Sequence, residues 1–310
     1  MADILCLGIM VADVVARPVT RFPERGRLEL VDEMSLHTGG CAVNSGITLA
    51  RLGFSVGVIG KVGSDGFGDF IVAELEREGV DTIGVRRDQV VHTSATMVMV
   101  DPDGERRFIH YLGANATLRE GDVDFDLIAR AKILHVAGSL VLPGIDGEPT
   151  ARILRRAKEL GVTTALDTVW DATGRWMALV GPSLPHVDYF LPSLAEAQQL
   201  TGKQEPVDVA EALLAHGVRV VGLKMGEAGC YVRTADTELR LPAYRVQAVD
   251  ATGAGDAWAA GFLAGVLQGW DLARTARFAN AVGALCVTAM GATGGVRSLE
   301  ETLAFLAERE

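Results

Sequence analysis

Asp250-Ala-Thr-Gly-Ala-Gly-Asp256 runs straight into the apolar stretch Ala257 to Leu267. Two glycines flanked by acids, then small and apolar side chains, describe a tight turn that opens a buried helix. The first N–H groups of a helix have no acceptor within it, and with the helix dipole they attract anions. Gly253 and Gly255 carry no Cβ, so a ligand can approach the main chain closely there. Asp256 stands at the mouth of the helix, where a carboxylate can take a proton. The same pattern also suits a plain capped helix start, so its meaning depends on what the rest of the chain sets beside it.

Upstream of this turn, apolar runs alternate with amphipathic stretches. Strands are predicted at 4–8, 56–60, 133–137, 163–167, 189–191 and 218–224. Helices are predicted at 44–52, 67–78, 150–160, 194–200 and 207–215, the first two ended by Gly53 and Gly79. Strand, helix, strand is the pattern of a parallel sheet covered by helices on both faces. Two regions interrupt it. Residues from about 12 to 37 are rich in β-branched side chains and lack helical periodicity. Residues 93–111 describe a hairpin that turns at Asp101-Pro-Asp-Gly104. The two inserts, about 12–37 and 90–112, are expected to pair as a small β-lid on one catalytic domain spanning 1–310.

Composition narrows the function classes. The chain has 310 residues, 49% apolar and 22% charged, ordinary for a folded α/β protein. A net charge of −11 speaks against nucleic acid as a partner. No apolar run reaches the ~20 residues of a membrane span, and no basic region followed by an apolar core opens the chain. The four cysteines, Cys6, Cys41, Cys230 and Cys286, show neither metal-ligand spacing nor a disulfide framework. Together these features predict a cytoplasmic protein. Neither Gly-x-x-x-x-Gly-Lys-Ser/Thr nor a Gly-x-Gly-x-x-Gly after the first strand is present, so the two commonest nucleotide loops are unsupported.

A second glycine cluster, Thr38-Gly-Gly-Cys-Ala-Val-Asn-Ser-Gly46, also leads into a helix. Gly39 and Gly40 would let backbone amides face a ligand. Asn44 offers a donor and an acceptor, which suits a sugar hydroxyl, although it could simply cap the helix. Taken with Asp13 after the first strand, Gly113-Ala-Asn115, Ser193-Leu-Ala-Glu196, Lys224-Met-Gly226 and the turn at 250–256, the order and spacing resemble the ribokinase-like (PfkB) carbohydrate kinase family along nearly the whole chain.

The resemblance implies a three-layer α/β/α sandwich with a mostly parallel sheet and a β-lid. It implies an ATP-dependent kinase acting on a hydroxymethyl group, with Mg2+ and, in many members, a monovalent cation, usually K+. Asp256 would be the base, and the backbone of Gly253, Ala254 and Gly255 the anion hole. Asp13, Gly39, Gly40 and Asn44 would contact the sugar. Glu196 would order Mg2+ through water. Lys224, Gly226 and Asn280 would hold ATP. Asp250 and Thr252, with carbonyls near Ala289 and Gly291, would hold the monovalent cation. A homodimer paired through the lid is the family analogy.

The chain departs from the family's pattern in three places. Ser193 stands where Asn is common. Cys41 replaces the Lys that follows the glycine pair in ribokinase itself, and Gly138-Ser-Leu-Val141 lacks its Glu. These changes turn the expectation away from ribose. Arg106, Arg107 and His110 on the hairpin are alternative substrate contacts, or simply a solvated strand face. Asp167, at a strand end, is a candidate for ordering metal or phosphates. Trp170 and Trp176 are read as packing residues. A nucleoside kinase of the same fold, with Leu140-Val-Leu142 forming the base slot, is one alternative. A non-catalytic sugar- or nucleotide-sensing protein is another.

Overall fold

The computed structural model describes residues 2–309. Thirteen strands are found among them: β1 Ile4–Gly8, β2 Val11–Arg17, β3 Glu33–Gly39, β4 Val56–Gly63, β5 Asp81–Asp88, β6 Ala95–Val100, β7 Arg106–Tyr111, β8 Ile133–Ser139, β9 Thr163–Thr168, β10 Tyr189–Phe190, β11 Val220–Lys224, β12 Cys230–Arg233 and β13 Glu238–Leu241. The α-helices are α1 Cys41–Arg51, α2 Gly66–Arg77, α3 Phe125–Ile128, α4 Glu148–Glu159, α5 Met177–Val180, α6 Leu194–Thr201, α7 Pro206–Ala215, α8 Ala254–Leu267, α9 Leu272–Cys286 and α10 Leu299–Ala307.

Nine strands form one sheet in the order β13-β12-β11-β10-β9-β8-β1-β4-β5. From β11 to β5 every neighbouring pair is parallel, and the two pairs at the other edge, β11–β12 and β12–β13, are antiparallel. Successive strand residues point to opposite faces, so each central strand feeds two cores. Ile4 and Cys6 of β1 pack with α1, α2, α8, α9 and α10, whereas Leu5 and Leu7 pack with α4, α6 and α7 on the other side. The layers are helix, sheet, helix, and both sheet faces are covered, as parallel strands require.

The two inserts build a second sheet in the order β3-β2-β6-β7. Its register sets Asp13 beside His37 and Thr96, and Thr96 beside His110, on one face. The opposite face carries Met34, Leu36, Met97, Ile109 and Tyr111, all exposed.

Element existence follows the sequence pattern closely, but boundaries shift where glycine leads a helix. The helix predicted at 44–52 begins at Cys41, directly after Gly40 in a left-handed conformation (φ 93°). A Cβ on Gly40 would lie 2.4 Å from the Ile9 carbonyl oxygen, so glycine is required there. The helix after the 250–256 turn likewise begins inside the turn, at Ala254. Asp256 is therefore a first-turn residue rather than one preceding the helix. Nine of the 14 residues of α8 are buried, as expected of a helix held between the sheet, α1 and α9. Gly261 and Gly265 allow the close approach of α9: a Cβ on them would meet Val282 at 2.9 Å and Thr275 at 2.8 Å.

Candidate active site

The carboxyl ends of β1, β8, β9 and β11 open on one edge of the large sheet, the usual ligand edge of such folds. Two helices start there. α1 follows the Gly39–Gly40 pair and α8 follows Gly253 (φ 74°), and neither has a side-chain cap on its first N–H groups. Both sets of orphan donors are left for something other than the protein's own side chains.

The two helix starts are joined. Asn44 Nδ2 donates to Asp256 Oδ2 at 2.8 Å, and Ser45 Oγ donates to the Asp256 carbonyl at 3.5 Å. Asn44 is buried, and its Oδ1 is a buried acceptor without a protein partner. Such an atom costs free energy unless something donates to it. A hydroxyl bound beside Asp256 would satisfy it.

Asp13 enters from the small sheet. Its carboxylate lies against Gly39, where a Cβ would come within 2.1 Å of Oδ2. Burial raises its pKa, against the opposing effects of a hydrogen bond from Thr96 and the nearby His110 and His37. Asn115, in the 3-10 turn Gly113–Thr117, fixes the β1–β2 junction. Its side chain accepts from Met10 N–H at 3.2 Å and donates to the Met10 carbonyl at 3.0 Å. Cys41 lies against Gly138, its Sγ 3.3 Å from where a Cβ would be. Burial, then Asp256 and Asp167, push its thiol well above the usual range, so Cys41 offers a neutral, weakly polar surface and no thiolate.

On the other side of Asp256 lies a buried charge network. Lys224 Nζ, at the end of β11, donates to Asp167 Oδ2 at 2.5 Å, with the two side chains 12% and 2% exposed. Burial pushes Asp167 up to about 7, against the pull of Lys224. Burial works against the charge of Lys224, but Asp167, Glu196 and Asp256 outweigh it and raise its pKa. We conclude that Lys224 stays charged. It is directed at the glycine turn, for a Cβ on Gly255 would sit 3.5 Å from Nζ. Glu196 caps α6 together with Ser193 and accepts a hydrogen bond from Thr168 Oγ1 at 3.0 Å.

The remaining sequence candidates divide. Gly226 lies exposed just after Lys224. Asn280, expected at ATP, makes contacts within the protein: Oδ1 accepts from Trp258 Nε1 at 2.8 Å, and Nδ2 donates to the Pro242 carbonyl at 2.9 Å. It is 5% exposed and holds the segment after β13 against α8 and α9. Asp250 and Thr252 are held by Arg106 of β7. Gly291 donates its N–H to Asp250 Oδ2 at 3.0 Å, and no polar contact of this cluster involves Ala289. Trp170 and Trp176 pack edge to face at 5.0 Å.

Two features were not anticipated from sequence. One is the reach of Arg106 across 144 residues to Asp250. The other is Leu140, whose φ of 88° is rare for a residue other than glycine. The Asp146 carboxylate holds that turn, accepting from Leu140 N–H at 2.9 Å and Leu142 N–H at 2.7 Å. The Asp at 146, downstream of an apolar run, was the available signal.

Known proteins share this fold. The model of the pfkB family of carbohydrate kinases matches residues 1–299. The chain is 32% identical to 2-dehydro-3-deoxygluconokinase of Bacillus subtilis, covering 91% of this chain and 90% of that one. It is also 32% identical to the ATP-dependent ribose-1-phosphate kinase of Halopiger xanaduensis, over 100% and 99% of the two chains. Ribokinase of Arabidopsis thaliana, solved with ribose and ATP, superposes with a TM-score of 0.87 at 25% identity, covering 98% of each chain. The chain therefore belongs to the pfkB carbohydrate kinase family. It is an ATP-binding sugar kinase, a phosphotransferase with an alcohol group as acceptor. Among the described residues no helix is long and apolar enough to cross a membrane.

Proposed function

We propose that the chain transfers the γ-phosphate of ATP to a hydroxymethyl group of a sugar or sugar-like substrate, with Asp256 as the base and the 253–255 backbone as the anion hole. The observation that carries this reading is the 2.8 Å hydrogen bond from Asn44 to Asp256. It fixes the carboxylate and leaves Asn44 Oδ1 open beside it for the attacking hydroxyl.

Each part has a physical task. Asp13, the Gly39–Gly40 backbone and Asn44 orient the sugar. Asp256 accepts a hydrogen bond from its hydroxyl, then the proton. A helix N-terminus weakens a carboxylate as a base, which is tolerable when the transition state is loose and the proton moves late. The uncapped N–H groups of α8 and the Lys224 ammonium face the negative charge that develops on the transferred phosphoryl group. Lys224 and Gly226 lie where ATP would extend from that group. Glu196, a hard carboxylate beside the turn, suits an Mg2+ held through water, since that ion usually keeps several waters and binds one or two carboxylates and substrate phosphates, whereas both oxygens of Asp167 are taken up by Thr168 N–H and Lys224. When bound, the ion supplies charge neutralisation for the phosphates.

We further propose residues 1–310 as one catalytic domain with the four-stranded sheet as its lid. The lid's exposed outer face, Met34, Leu36, Met97, Ile109 and Tyr111, is the surface for a second copy. Light scattering of wild type and Ile109→Asp tests this: a dimer that dissociates in the variant supports the pairing, and a wild-type monomer rejects it.

The catalytic reading is tested by ADP release against a panel of sugars, sugar acids and nucleosides, with wild type and Asp256→Asn. A sugar substrate turned over by wild type and lost in the variant is the expected result. Equal turnover by both proteins removes Asp256 as the base, and turnover of nucleosides alone replaces the sugar assignment.

A further inference from the structure

The family resemblance sets a monovalent cation at Asp250, Thr252 and the carbonyls near Ala289 and Gly291. The residues present do not fit one. The Asp250 carboxylate is only 5% exposed, and both its oxygens are engaged. Oδ1 accepts from Thr252 N–H at 2.8 Å and from Arg106 Nη2 at 2.5 Å, and Oδ2 accepts from Gly291 N–H at 3.0 Å. Arg106 Nη1 also donates to Thr252 Oγ1. The Gly291 carbonyl accepts from Gly294 N–H at 3.3 Å. A second guanidinium, that of Arg51, donates to the next carbonyl but one, Thr293, at 2.5 Å. A metal cation brought to Asp250 would meet a fixed positive charge within hydrogen-bonding distance, and that repulsion is strong where water is largely excluded.

Resting on the kinase reading above, we propose that Arg106 is a positioning residue that replaces the monovalent cation. Its guanidinium neutralises Asp250 and holds Thr252, and so shapes the glycine turn that forms the anion hole. The replacement differs from an ion in one respect. Arg106 is the first residue of β7, at the lid hairpin, whereas Asp250 and Thr252 belong to the turn. The pair therefore forms only with the lid down. Lifting the lid would strip a largely buried carboxylate of its counter-charge, which is unfavourable. An ion bound from solution would couple the turn to salt composition; Arg106 couples it to lid closure.

The test uses wild type, Arg106→Ala and Arg106→Lys, assayed in KCl and in choline chloride at equal ionic strength, with thermal melts of the substrate-free proteins in the same salts. Wild type should show equal kcat/KM and equal Tm in the two salts. Arg106→Ala should lose at least about tenfold in kcat/KM, since one partner of a buried pair is left unpaired. It should recover with sub-denaturing guanidinium or become activated by K+, and its Tm should rise in KCl. Arg106→Lys should fall between them. Saturable K+ activation or K+ stabilisation of wild type overturns the proposal. So does undiminished activity of Arg106→Ala, or a loss that neither guanidinium nor K+ repairs. If no sugar is phosphorylated by wild type, the kinase reading fails, while the melts still decide the cation replacement.

Discussion

α8 and α9 are neighbours of nearly equal length, 14 and 15 residues, packed against each other, yet they begin in opposite ways. α9 starts at Asp271, whose side chain accepts from Arg274 N–H at 2.8 Å. α8 starts at Gly253, with no side chain on its N–H groups and a lysine ammonium nearby. A cap of its own makes a helix end a finished structural element. Leaving the end bare, positively polarised and beside a carboxylate makes it open to a ligand. The contrast shows that what sets α8 apart lies in what its first turn lacks, as much as in Asp256.

The comparison can be broken from either side. The largest expected effect is at the base: Asp256→Asn should lower kcat by about 10²–10⁴-fold, measured by ADP release at saturating substrate, with the melting temperature little changed. Next comes the turn. Gly253→Ala would set a Cβ 2.2 Å from the Ala292 carbonyl oxygen, at a φ of 74° that favours glycine. The backbone must shift, and loss of anion-hole alignment should cost about 10²–10³-fold in kcat, with KM for the sugar nearly unchanged. At α9 the expectation reverses. Asp271→Ala should destabilise the protein by about 1 kcal/mol in urea denaturation and leave kcat as it was. A loss of kcat there would erase the distinction between the two helix ends.

The smallest effect is one of pH. Burial alone would raise the Asp250 pKa, but hydrogen bonds from Arg106, Thr252 and Gly291 outweigh it and hold it at about 2, below the ordinary 3.8. A carboxyl lowered on folding contributes stability that is present above its unfolded pKa and lost as pH falls through the folded one. Acid denaturation between about pH 4 and 2 should therefore be shallower in Arg106→Ala, the variant having less of this contribution to lose.

Much of this was legible in the sequence, and the gaps have physical causes. The alternation of apolar runs gave the parallel core because strands buried on both faces are continuous apolar segments, such as Ile4-Leu-Cys-Leu. The two glycine clusters marked both helix starts, though not their first residues, since a left-handed glycine can directly precede a helix. The elements not assigned were β5, β12 and β13, the short helices α3 and α5, and the two C-terminal helices. β5 and β13 are edge strands with polar, exposed positions such as Arg86, Arg87 and Glu238, which dilute the period-2 signal. Asn280 could be named from sequence but not its partners: Trp258, two residues beyond Asp256 in α8, donates to its oxygen, and only the folded chain brings them together. Arg106 could be named as a hairpin residue, but its partner lies 144 positions away and only the folded chain joins them.

Asn115 has a mechanical consequence. By accepting from and donating to the main chain of Met10, its side chain stands in for a strand neighbour at the two-residue link between β1 and β2. That link is welded at its near end, and Gly40 ties β3 to α1 just as closely. The small sheet is thus a cantilever. Its root, at Asp13 and His37, stays close to Gly39 and α1, while deflection would grow toward the β6–β7 tip that carries Arg106. If the sheet lifts as a lid, the proposed substrate contacts at the root would persist, and only the far end, where Arg106 meets Asp250, would have to find its partner again.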